Sequence, residues 1–283
     1  MSNPRLHRRP AKTSLKRPKL AGLPRRLLQA RSRVNALVVA LRAIPRGRYV
    51  AILAVLLGLV ILRSAIGARA PSTWLLENAP VLIGVLILGA TYRPMPLSRI
   101  SYTLILLFLG LHEIGAHWTY AKVPYDAWWH SLVGVTLNSQ LGLERNHFDR
   151  LVHFSYGFLM AYPIREVFLR VASVRGFWGY FLPLDFTLST SAFYEVLEWA
   201  TAAVVGSNAS NDYLGSQGDI WDSQKDMTLA SLGALLAMTT IAVITRHYKR
   251  DFAREFGESL RVKSAAPLGE DEIARIQMDP DAR

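Results

Sequence analysis

YVAILAVLLGLVILRSAIG, the stretch from Tyr49 to Gly67, decides the fold. A helix that spans a bilayer needs about twenty mostly apolar residues. This run has that length and one charge, Arg63, placed near its end, where an arginine can snorkel to the interface.

Five more runs follow toward the C-terminus, at about Trp74 to Tyr92, Ile100 to Tyr120, Asp149 to Ile164, Phe177 to Val205 and Gln224 to Thr245. The last three carry more polar residues than helices surrounded by lipid should. An ionised side chain at mid-bilayer costs about 2.5–3.5 kcal/mol even on insertion scales, so their polar faces are expected to turn inward. The expected fold is all-α: a polytopic transmembrane helix bundle of about six spans over residues 46–247, with a helix and tail over 248–283.

Toward the N-terminus the character inverts. Every fully charged residue before Glu77 is basic, and the 283-residue chain has a formal charge of +12 although 51% of it is hydrophobic. Residues 1–45 have too few large apolar side chains to bury a core and read as a disordered tail. A basic tail can serve nucleic acid or lipid. Apolar spans follow it directly, so anionic headgroups of the cytoplasmic leaflet are its expected partner, and nucleic acid is not. Ala68-Arg69-Ala70 has the small residues of a signal-peptide cleavage site, but the basic region ahead of the first span is much longer than a signal peptide needs. The chain has no cysteine, which excludes disulfides, thiolate ligands and thiol nucleophiles.

Basic residues in the connections set the orientation. With the N-terminus inside, the inner connections hold Arg93 and Arg99, then Arg165, Arg170 and Arg175, then Arg246, Lys249 and Arg250; the outer ones hold Arg69, Lys122, Arg145 and Lys225. Both termini are then cytoplasmic.

That topology gathers polar residues at one depth near the outer face. His112, Glu113 and His117 end the third span, and Asp149 and His153 open the fourth. Glu195 and Glu198 lie in the outer part of the fifth, and Asp219, Asp222 and Asp226 lead into the sixth. Several are three or four residues apart and therefore share a helix face: Glu113 with His117, Asp149 with His153, Glu195 with Glu198, Asp222 with Asp226.

Carboxylates with imidazoles suit a divalent metal such as zinc, manganese or iron, or magnesium with more water. The same groups could relay protons or line an ion pathway. Plainer roles compete: Asp149, Asp219 and Asp222 sit where helix caps sit, and His153 could simply bond Asp149. Two carboxylates inside an apolar span, Glu195 and Glu198, are harder to explain without partners.

In His112-Glu113 followed by His117 the second histidine comes one residue too late for a zinc-protease helix, and no phosphate-binding glycine loop or nucleophile-elbow serine is present. Tyr125, Trp128, Trp129 and His130 suit a segment lying at the interface. The turn from Leu214 to Asp222, with Gly215 and Gly218, can fold Trp221 over the acids.

Four motifs carry a resemblance: HEIGAHWTY from His112, RNHFDRLVHF from Arg145, YEVLEW from Tyr194 and GDIWDSQKDM from Gly218. In this order they resemble the bacterial inner-membrane family typified by YjdF, over roughly Arg46 to His247. A looser similarity is to VanZ-like membrane proteins, through Asp149 with His153, then Glu195 or Glu198, then Asp222 or Asp226. Arg150 stands where that family has lysine, and Thr228 to Gly233 lacks its usual asparagine. The resemblance implies a fold and an inner-membrane location more than a reaction.

The leading expectation is an outer-face site that holds a divalent metal through Glu113, His117, Asp149, His153, Glu195 and Glu198. His112, Asp219, Trp221, Asp222 and Asp226 would face a lipid headgroup or envelope component. A small ion- or proton-coupled transporter is the alternative, working as a homodimer and using Asp185 on the inner side. A membrane scaffold, with every polar group paired internally, is the third.

Overall fold

Apolar side chains surround the first helix, α1 (Arg46–Ala65), on nearly every side, and Ser64 alone is buried. Ile52, Val55, Leu59 and Leu62 are exposed, as in a helix whose solvent is lipid. The computed structural model describes residues 43–205, 217–248 and 251–263, together with 269, 275, 277 and 278. Nearly all of the basic tail, the start of the 214–222 turn and most of the C-terminal tail lie outside the described residues. The chain divides into a unit Met1–Arg48 and a unit Tyr49–Arg283. In the first, residues 43–48 are described and include the start of α1; the second holds everything that follows.

After α1 come α2 (Pro71–Thr91), α3 (Arg99–Trp118), two short helices α4 (Tyr125–Val133) and α5 (Leu137–Leu141), then α6 (Phe148–Val171), α7 (Trp178–Val205), α8 (Asp222–Tyr248) and α9 (Phe252–Ser259). No strand occurs among the described residues. The protein is an all-α polytopic membrane bundle of about six spans. Helices α1, α2, α3 and α8 are long and apolar enough to cross by length and composition. Helices α6 and α7, with 24 and 28 residues, have the length but carry the polar faces.

Helix ends follow local chemistry. Ser98 caps α3, its hydroxyl accepting from the Ser101 N–H. At the other end Thr119 and Tyr120 adopt positive φ, 57° and 47°, and stop α3 two residues before the apolar pattern does. Helix α6 continues beyond the expected Ile164, because hydrogen bonding continues where apolarity ends. Its Glu166 accepts from the Ser98 N–H at 2.8 Å and the Ser101 hydroxyl at 2.5 Å, tying α6 to the start of α3. On that same side Phe177 N–H and Trp178 Nε1 donate to Ser259, docking α9 against the start of α7.

The tightest seam joins α6 to α8. A Cβ added at Gly157 would lie 1.8 Å from the Ala230 carbonyl oxygen, and one at Gly233 would lie 2.2 Å from the Phe154 carbonyl oxygen. Ala161, Ala230 and Ala234 are fully buried along the same line. Small residues let the two backbones meet, as membrane helices require when lipid offers no hydrophobic drive to association.

Candidate functional site

The Gly157–Ala230 contact sets the site, because His153 lies one turn above Gly157 on α6 and Asp226 one turn above Ala230 on α8. Asp149, His153 and Asp226 each offer a ligand atom, and these atoms all lie within 4.8 Å of one another. Helix α7 adds Glu195. His153 Nε2 stands 3.6 Å from Asp149 Oδ1 and 3.6 Å from Glu195 Oε1, too far in both cases for a hydrogen bond. Glu195 Oε1 and Asp226 Oδ1 have no hydrogen-bond partner among the described residues, although their residues are only 8% and 2% exposed.

Above this group lies a layer of paired ions. Arg145 bonds Asp222, and Arg150 Nη2 bonds Asp219 at 2.5 Å. Lys225 Nζ reaches Asp219 at 2.6 Å. Asp219 also accepts the Trp221 N–H, so this part of the 214–222 turn is pinned to the start of α6. The Lys225 bond, the Trp221 N–H and Arg150 hold the Asp219 carboxyl at a pKa of about 2. Burial, with Arg150 and Arg145 beside it, lowers the pKa of His147. It is therefore a neutral acceptor for Arg150 Nη1 at 3.1 Å. Trp221 is 60% exposed and covers nothing.

A third set of polar groups lies between α1, α2, α3 and α7. Glu113 accepts from the buried Ser64 hydroxyl, which in turn accepts from Trp74 Nε1 at 3.0 Å. His117 Nδ1 donates to the Ser64 carbonyl at 2.7 Å. Glu113 and His117, expected among the metal ligands, are thus engaged with α1 and outside the group around His153. His112 shares a 2.6 Å hydrogen bond with the Tyr120 hydroxyl. Glu77, 2% exposed on α2, accepts from the Tyr194 hydroxyl at 2.8 Å.

Beside the His153 group a cavity of about 530 Å³ opens between α2, α3, α6 and α7. Asp149, His153, His112, Tyr194 and Glu198 line its polar end, and Ile87, Leu88, Met160 and Ile164 its far end. Asp185 is exposed on α7 and does not line it.

Sequence reasoning passed over Glu77, an acid within the apolar second span, and a buried charge in a span is itself a signal of function. It also missed that Arg145 and Arg150 neutralise Asp219 and Asp222. Pairing across 69 and 77 residues leaves no periodic trace.

The sequence pattern of the family described as "Predicted membrane protein (DUF2238)" matches residues 49–247. The chain is 42% identical over 205 residues to the inner membrane protein YjdF of Escherichia coli (strain K12), covering 72% of this chain and 92% of that one. No solved structure matches. Neither match bears on the looser VanZ-like resemblance. The four motifs fall within the matched span, and the chain belongs to the DUF2238 family of membrane proteins, the family of the inner membrane protein YjdF.

Proposed function

We propose that this multi-pass inner-membrane protein holds a divalent metal ion between α6, α7 and α8, beside a cavity that takes an amphiphile. Asp149, His153, Asp226 and Glu195 are the ligands. One observation carries the reading: His153 Nε2 stands 3.6 Å from each of two carboxylate oxygens, one of which, Glu195 Oε1, bonds nothing. Ligand atoms at about 2.1 Å from a tetrahedral ion are about 3.4 Å apart, so these two spacings suit neighbouring ligands of one ion. One imidazole with three carboxylates suits zinc, manganese or iron, and magnesium with added water.

The basic connections put this face outside the cytoplasmic membrane, with both termini inside and the N-terminal tail against anionic headgroups. A scaffold would pair its polar groups fully. In the layer above, the carboxylates of Asp222 and Asp219 each face a guanidinium, whereas Glu195 Oε1 and Asp226 Oδ1 beneath it accept no hydrogen bond among the described residues. A transporter needs polar groups leading to the other face. Asp185 is turned away, and the far end of the cavity is apolar.

The test is elemental analysis of protein purified in mild detergent, with and without prior incubation with zinc or manganese. Wild type should carry about one ion per chain, and Glu195→Ala and His153→Ala should carry far less. Wild type without metal after incubation would overturn the reading.

A further inference from the structure

The charge of the cavity wall selects its occupant. Among the described residues no arginine or lysine lines it, while Asp149 and Glu198 both do. Glu77, which accepts from the lining Tyr194, and Glu195, beside the lining His153, add carboxyl groups next to this end. Arg145 and Arg150, the nearby cations on α6 and the loop before it, bond Asp222 and Asp219 above the site. An anionic head entering here would meet like charge in a low-dielectric wall, and such juxtaposition is strongly unfavourable.

The aromatic lining points the same way. Tyr120, Tyr156 and Tyr194 line the cavity, and their hydroxyls are engaged by His112, Thr190 and Glu77. They offer the cavity their rings, which attract cations. The apolar wall supplies the rest. From Asp149 to Ile164 on α6 the lining extends over about 22 Å at 1.5 Å per residue. That exceeds one leaflet, half of a hydrocarbon core about 30 Å thick.

We propose that the cavity binds an amphiphile with a monovalent ammonium head, seated against Glu198 at the acidic end, and a hydrocarbon tail lying along α6 toward Ile164. The proposal deepens the metal-site reading by naming the class of amphiphile. It does not require the ion, because the acidic lining is there without it.

The test uses the full chain in a maltoside detergent and two probes of equal tail length, dodecyltrimethylammonium and dodecyl phosphate, with affinities from isothermal titration. Wild type should bind the ammonium probe about tenfold or more tightly than the phosphate. Glu198→Gln should weaken the ammonium probe by about tenfold. Gly84→Phe should weaken both probes: Gly84 lines the cavity, and a Cβ there meets nothing within 4 Å, so a ring fills the space without disturbing the helix. Equal or tighter binding of dodecyl phosphate, or ammonium binding that survives Gly84→Phe unchanged, would overturn the proposal. Ammonium preference in a protein that takes up no metal would leave the proposal standing and remove the metal reading. Metal in a protein that prefers the phosphate probe would do the reverse.

Discussion

Gly157→Ala adds one methyl group and should undo the site from below. The new Cβ would lie 1.8 Å from the Ala230 carbonyl oxygen, 2.7 Å from its carbonyl carbon and 2.8 Å from the Ala234 nitrogen, all rigid backbone. Ordinary contact begins near 3.4 Å, so α6 and α8 must separate locally by about 1.6 Å. Overpacking of this kind costs about 1–3 kcal/mol. At roughly 2–4 °C per kcal/mol, melting in detergent should fall by several degrees. One turn away the same displacement moves Asp226 from His153, and metal sites tolerate only about 0.2 Å. The variant should therefore lose its metal. Gly84→Ala is the control, because its Cβ meets nothing within 4 Å. The assay is a tryptophan-fluorescence melt with elemental analysis on the same samples. If Gly157→Ala melts and binds metal as Gly84→Ala does, the seam does not set the site.

Other expectations follow from single contacts. Asp226→Asn should reduce metal content at least as far as Glu195→Ala, because its Oδ1 is the most deeply buried unbonded oxygen of the group; elemental analysis decides it. The Asp219 carboxyl, depressed to about 2, should hold the loop above the unfolded value of about 3.9 and release it as pH falls through 2. Lys225→Gln removes the first cause of that depression and should move the midpoint upward in a carbon-13 NMR titration of labelled aspartate; an unmoved midpoint would exclude Lys225 as the cause. Because the chain has no native cysteine, single cysteines report topology directly. Ser131→Cys should react with a membrane-impermeant maleimide in spheroplasts and Arg93→Cys should not, and the reverse result would invert the orientation.

Much of the fold was legible because length and apolarity are local. The runs beginning at Tyr49, Trp74 and Ile100 needed no tertiary information, whereas the stop at Thr119 lies in a positive φ that apolarity does not register. The depth of the acids followed from alternation of the spans alone. What the sequence could not convey was rotation. Glu113 and His117 share a face with each other, yet that face meets Ser64 on α1. The face of α6 bearing Asp149 and His153 meets α8 because Gly157, Ala161, Ala230 and Gly233 are small. Rotation about a helix axis is set by such residues, and a search confined to charged side chains passes over them.

The polar residues that seemed one cluster separate by how they are satisfied, and that separation bears on function. Asp219 and Asp222 are matched by Arg145, Arg150 and Lys225, so they hold the loop to α6 and have little left to offer a ligand. One oxygen of Glu113 is matched by Ser64, and Glu77 by Tyr194, while the second oxygen of Glu113 accepts no hydrogen bond among the described residues. Around His153 two such oxygens, one each of Glu195 and Asp226, stand beside an imidazole. Burying an unmatched carboxylate is costly, and that cost is the reason the proposed cation site is placed here and not at the layer above, where Asp219 and Asp222 each face a guanidinium.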